Sequence, residues 1–122
     1  MDGLHLTADL HACRAEAAVM RDVDALRTLC LAAVQDAGLQ PVAQVFHVFP
    51  EAAGVTGVVL LAESHLAVHT WPELDAVTLD VYVCNYGQDN SAKAQRLLDA
   101  LLTAFAPARV ERHALKRGGA AA

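Results

Sequence analysis

The chain has 122 residues, 55% of them hydrophobic, and a formal net charge of −5. That length fits one domain with a modest core, and the composition excludes a disordered chain. Nine scattered Lys and Arg residues argue against a nucleic-acid partner, and no apolar run reaches the ~18–20 residues that cross a bilayer.

In chain order, residues 4–10 alternate, with Leu4, Leu6, Ala8 and Leu10 on one face of a half-buried strand. Residues 22–37 read as a helix, with Val23, Leu26, Cys30, Ala33 and Ala37 at helical spacing. Asp22 can cap its start and Gly38 its end. Residues 42–49 are β-rich after Pro41, and Pro50–Gly54 is a loop. Strands follow over 55–62, over 65–71 up to Pro72, and over 76–84, where Val77, Leu79, Val81 and Val83 share a face. The polar segment 85–90 is a loop. Residues 91–105 form a second helix with a buried stripe of Ala94, Leu97, Leu98, Leu101 and Phe105. A last strand covers 110–115, and the GGAAA tail is expected to be disordered.

Condensed to β-α-β-β-β-α-β, this order supplies two amphipathic helices, enough for one face of a sheet. The predicted fold class is α+β, a two-layer sandwich with an antiparallel β-sheet covered on one face by two helices. A single domain over 1–117 and a tail over 118–122 are expected. Met1-Asp2 does not open a secretory signal. Cys13, Cys30 and Cys84 lack CxxC spacing, so neither a disulfide framework nor a thiolate zinc site is expected, and a cytoplasmic location is.

The segment Glu63-Ser64-His65-Leu66-Ala67-Val68-His69-Thr70-Trp71-Pro72-Glu73 carries the chemistry. Polar and titratable groups inside a core-forming stretch are costly without partners. Taken singly, each is explained by an ordinary hydrogen bond at a strand end. His65 and His69 would suit a metal on a helix, but on a strand four residues span roughly 13 Å, too far for one ion. A Ser-His hydrolase lacks the GxSxG elbow. A third route is self-cleavage, in which the Ser64 hydroxyl attacks the carbonyl before it. β-Elimination of the resulting ester gives dehydroalanine, and hydrolysis gives a pyruvoyl group. His69 and a hydroxyl such as Thr56 are suitable proton-transfer partners. Residue chemistry permits this route and does not select it.

The motif ESHLAVHTWPE resembles the processing site of prokaryotic S-adenosylmethionine decarboxylase proenzymes. Gly3-Leu4-His5-Leu6 with Cys13, Phe46-His47-Val48-Phe49, Gly54-Val55-Thr56-Gly57-Val58-Val59 and Leu79-Asp80-Val81-Tyr82-Val83-Cys84 are similar to further segments of that family. The resemblance implies that Ser64 becomes the pyruvoyl group that forms a Schiff base with substrate, with Glu63 as the new carboxyl end. It implies that His69 and Thr56 assist processing, that Cys84 is the general acid, and that Phe49 and Glu73 bind adenine and ribose. It also implies S-adenosylmethionine as substrate, a product that serves spermidine and polyamine synthesis, and a homodimer of processed units with active sites at the subunit interface.

Three segments depart from the family pattern: Pro50–Gly54, Asn85-Tyr86-Gly87 and Leu74-Asp75-Ala76. They bear on substrate identity, so arginine or ornithine is an alternative substrate. A non-catalytic ligand-binding or assembly subunit is an alternative of another class. Cys13 and Cys30 are read as structural, and no metal is expected.

Overall fold

A computed structural model describes residues 1–51 and 54–119. Six strands form one sheet: β1 (Gly3–Cys13), β2 (Pro41–Val48), β3 (Val55–Leu61), β4 (Ser64–Trp71), β5 (Ala76–Cys84) and β6 (Pro107–Arg117). Their order is β2-β3-β4-β5-β1-β6, and every neighbouring pair is antiparallel. Three helices, α1 (Ala17–Arg21), α2 (Val23–Asp36) and α3 (Ser91–Phe105), accompany the sheet. The longer two cover one face, α2 over β2 and β3 and α3 over β1 and β5. This is the expected two-layer α+β sandwich.

The buried layer follows from the period-two pattern of the strands. Leu6, Leu10, Leu66, Val68, Val77 and Val81 point from the sheet into the helices and are almost wholly buried. Leu26, Cys30 and Val34 of α2 and Leu97, Leu101 and Phe105 of α3 meet them. Each such aliphatic side chain contributes about 1.5–3 kcal/mol by leaving water. α2 starts where Asp22 Oδ1 accepts from the Asp24 N–H at 2.8 Å. It ends where Gly38, at φ 84°, donates to the Gln35 carbonyl at 2.9 Å.

The structure departs from the sequence reading in four places. The stretch 42–84 holds the four strands read along it, one more than the condensed order counts. The last strand is longer, Pro107–Arg117, because it pairs along the whole of β1 from Gly3 to Cys13. The helix α1 went unread: five residues are too few for a hydrophobic period, and Glu16 makes no side-chain cap. After β4 the chain makes a single 3-10 turn, Pro72–Leu74, before β5. Part of the expected loop, Ala52 and Ala53, and the tail residues 120–122 lie outside the described residues. Among the described residues no helix is long and apolar enough to cross a membrane.

Candidate active site

β3 and β4 are joined by a two-residue turn, Ala62-Glu63, so Leu61 faces Ser64 across the hairpin. Glu63 closes this turn at φ 54°. The left-handed region is unfavourable for a residue with a Cβ, so the bond that precedes Ser64 follows a strained residue. Ser64 opens β4 and Cys84 closes β5, which brings them side by side. The Cys84 backbone N–H donates to Ser64 Oγ at 3.0 Å, and Cys84 Sγ lies 3.9 Å from Glu63 Oε2. Cys84 is 7% exposed. Its carbonyl accepts from the Asn90 side chain at 2.8 Å, and Asn85 Oδ1 accepts from the Asn90 N–H at 2.7 Å. The two asparagines therefore fix the loop after β5 and hold the thiol at its post.

A second group of side chains sits at the far end of β4. Thr56 and His69 are direct cross-strand partners, and Thr56 Oγ1 lies 2.9 Å from His69 Nδ1. They line a pocket of about 270 Å³ together with Phe49, Gly54, Thr70, Trp71 and Glu73. Phe49 is 48% exposed and Trp71 44%, so both aromatic faces are open to a ligand. Phe49 is seated by its N–H, which donates to the Gly54 carbonyl at 2.8 Å. Its ring meets His47 edge-on, with centroids 4.7 Å apart. A Cβ on Gly54 would lie 2.6 Å from the Thr70 carbonyl oxygen, so only glycine lets the two strands approach here. Thr70 is buried and satisfied: its hydroxyl accepts from the Val55 N–H at 2.9 Å and donates to the Met20 carbonyl at 2.7 Å. It ties the pocket wall to α1.

A third polar cluster occupies the sheet face away from the helices. His5, His65 and Asp80 hold ligand-type atoms within 4.8 Å of one another. His65 Nε2 lies 3.1 Å and His5 Nε2 3.4 Å from Asp80 Oδ1, and Arg117 donates to His5 Nδ1 at 3.0 Å. The His5 contact is within ion-pair reach but not aligned as a hydrogen bond. An arginine can only donate, so His5 Nδ1 accepts and its proton sits on Nε2. That tautomer turns an N–H, not a lone pair, toward Asp80. The cluster therefore turns a donor toward the carboxylate where a metal site would need a converging lone pair.

The predicted residues thus divide. Glu63, Ser64 and Cys84 gather at one end of β4. Phe49, Thr56, His69 and Glu73 gather at the other. Ser64 and His69 are five residues apart on one strand, roughly 17 Å along it, and a strand cannot fold back on itself. His65 and His69 are likewise too far apart along the strand to share a ligand. Sequence reasoning missed Trp71 as a pocket wall, Thr70 as its tie, and the His5–Asp80–His65 cluster. Trp71 stood inside the motif and could have been found there. The cluster could not, because its members are brought together by register. Cys30 is buried in the core, and burial pushes its thiol from 9.0 up to about 12. Cys13 is raised too, by burial and then by the Asp75 carboxylate. Both thiols stay protonated, as suits their structural reading.

Residues 4–118 match the family model described as S-adenosylmethionine decarboxylase. The chain is 39% identical to a protein of Aquifex aeolicus named S-adenosylmethionine decarboxylase proenzyme, over 95% of this chain and 81% of the relative. It is 34% identical to one of the same name from Archaeoglobus fulgidus, over 95% and 97%. The fold superposes on the crystal structure of the adenosylmethionine decarboxylase from Aquifex aeolicus with a TM-score of 0.86 and 36% identity. That match covers 98% of this chain and 92% of the other.

Proposed function

The chain belongs to the S-adenosylmethionine decarboxylase family, and from that premise we propose that it is a self-processing, pyruvoyl-dependent decarboxylase of S-adenosylmethionine. Its product would donate the aminopropyl group for spermidine and polyamine synthesis. The observation that carries this reading is the state of the Glu63–Ser64 bond. It sits at a hairpin tip, after a residue held at φ 54°, with the Ser64 hydroxyl fixed at 3.0 Å by the Cys84 N–H.

The chain's own groups suit the chemistry. Ser64 Oγ attacks the Glu63 carbonyl carbon, and the peptide nitrogen leaves that carbon with a proton, giving an ester. The Cys84 N–H stabilises the negative charge that builds on Oγ as its proton departs. Loss of the Ser64 α-proton then expels Oγ with the Glu63 acyl group, which becomes a carboxylate. Addition of water and loss of ammonia leave a carbonyl at position 64. When formed, that pyruvoyl group supplies an electron sink for an amine-bearing substrate. Cys84 lies beside position 64, and its thiol would give a proton to the product carbon. Thr56 and His69 form a hydroxyl–imidazole pair able to pass a proton during processing. Phe49 offers its face to adenine, and Glu73 can accept from two ribose hydroxyls. An aromatic face near a sulfonium gains about 0.5–2 kcal/mol from cation–π attraction.

The two halves of this machinery meet only if two copies pair. A two-fold arrangement would set the pocket of one protomer against Ser64 and Cys84 of its partner. The polar, half-buried face of the sheet is the surface left for it. Each copy would then be one processed unit, with a β chain of 1–63 and an α chain of 64–122. The free thiols suit a reducing compartment, the cytosol.

Intact-mass spectrometry of the purified protein tests this. Fragments ending at Glu63 and beginning at a blocked residue 64 are expected. A single uncut chain after long incubation would sink the reading. Release of labelled CO₂ from S-adenosylmethionine, against arginine and ornithine, then fixes the substrate.

A further inference from the structure

His65 follows the reactive residue and has no part in the chemistry above. We propose that His65, held by Asp80, is the positioning residue that keeps residue 64 beside Cys84 once the bond before it has been cut. This rests on the proposed self-processing and assigns it a residue.

The reason lies in what processing destroys. Before cleavage, residue 64 is held by the hairpin that links it to Leu61 and by the hydrogen bond from the Cys84 N–H to Oγ. Cleavage removes the first. The second goes with it, because Oγ departs as part of the Glu63 carboxylate. Residue 64 is then a free chain end, and chain ends fray unless something ties them down. A misplacement of about 1 Å at a reacting carbon can cost on the order of 100-fold in rate.

His65 is the first residue able to act as that tie. Its backbone pairs with Leu60 on one side and Tyr82 on the other. Its ring stacks on Tyr82, with centroids 5.8 Å apart and a tilt of 26°. Its Nε2 donates to Asp80 Oδ1 at 3.1 Å. The carboxylate is in turn flanked by His5 of β1 at 3.4 Å, and Arg117 of β6 lies over the Tyr82 ring at 5.8 Å while donating to His5. One imidazole thus fastens the cut end of β4 to β5, whose Asp80 and Tyr82 lie in turn against His5 of β1 and Arg117 of β6. None of these contacts involves an atom that processing alters.

The test compares wild type with His65→Ala, His65→Gln, Asp80→Ala and the His65→Ala/Asp80→Ala double variant. Cleavage is followed by mass and decarboxylation by labelled CO₂. All are expected to be cleaved between 63 and 64. His65→Ala and Asp80→Ala should each lose about 10- to 100-fold in kcat with KM little changed. His65→Gln keeps an N–H for Asp80 and should recover most of that loss. The double variant should be no worse than either single one. Normal kcat in His65→Ala overturns the proposal. So does a change confined to KM, a Gln variant no better than Ala, or additive losses. Failure of both single variants to be cleaved, with thermal unfolding like wild type, would assign the pair to processing and also overturn it. If His65→Ala does not fold, Asp80→Ala against Asp80→Asn carries the same comparison. An uncut wild-type chain would instead overturn the self-processing reading, leaving the two failures distinct.

Discussion

The two ends of β4 are built differently. At its start, Glu63, Ser64 and Cys84 bring reactive atoms together on a hairpin tip and the end of a neighbouring strand, fixed by backbone hydrogen bonds. At its finish, Phe49, Thr56, His69, Trp71 and Glu73 shape a cavity with no nucleophile or electrophile of that set in it. One end holds the Glu63–Ser64 bond and the Cys84 thiol, and the other holds the pocket and the Thr56–His69 pair. A strand is stiff and extended, so eight residues of β4 keep the two apart by construction. Under the proposed function, separation on a rigid element would make activity depend on a second copy.

The sharpest break in this comparison comes from mixing variants. Ser64→Ala alone should be uncut and without activity, and His69→Ala alone should be cut very slowly. Co-expressed, they should yield dimers in which one composite site is intact. With random pairing, about half of the His69→Ala chains should then be cleaved, read on a denaturing gel. No restored cleavage would place both residues in one protomer's site and undo the division. Next in size is Cys84→Ala. It should still be cut but lose roughly 10²- to 10⁴-fold in kcat, the contribution expected of a positioned acid. A parallel loss of cleavage would mean the thiol also serves processing.

At the pocket end the effects should be smaller and of another kind. Phe49→Ala should raise KM by about tenfold, worth about 1.4 kcal/mol, with cleavage unchanged. A fall in kcat alone would remove Phe49 from binding. Gly54→Ala places a Cβ 2.6 Å from a backbone oxygen and should lower stability by about 1–3 kcal/mol, seen as a lower Tm. An unshifted Tm would mean that the hairpin gives way without cost. Smallest is the effect of a thiol reagent on folded protein. Cys30, buried and pushed up to about 12, should stay unlabelled while more exposed Cys13 reacts slowly.

Most elements were legible because burial imposes a period. The α3 stripe from Ala94 to Phe105 and the alternation of β5 from Val77 to Val83 are each a buried face written along the chain. α1 was not legible, since five residues hold no period, and what fixes it is the distant hydroxyl of Thr70 on the Met20 carbonyl. Trp71 stood in plain view of the motif, but its part in the pocket depends on the loop that carries Phe49.

By itself, then, the sequence determined the two-layer α+β class, the cluster from Glu63 to Glu73 and the residues able to do chemistry. Those follow from local patterning and side-chain type. Only the tertiary structure decided who meets whom. Strand register joined His5, His65 and Asp80 across three strands, and it paired Ser64 with Cys84 while holding His69 away. The physical reason is that register is set by the fit of a whole sheet against its helices, and a one-residue slip would turn every side chain to the other face.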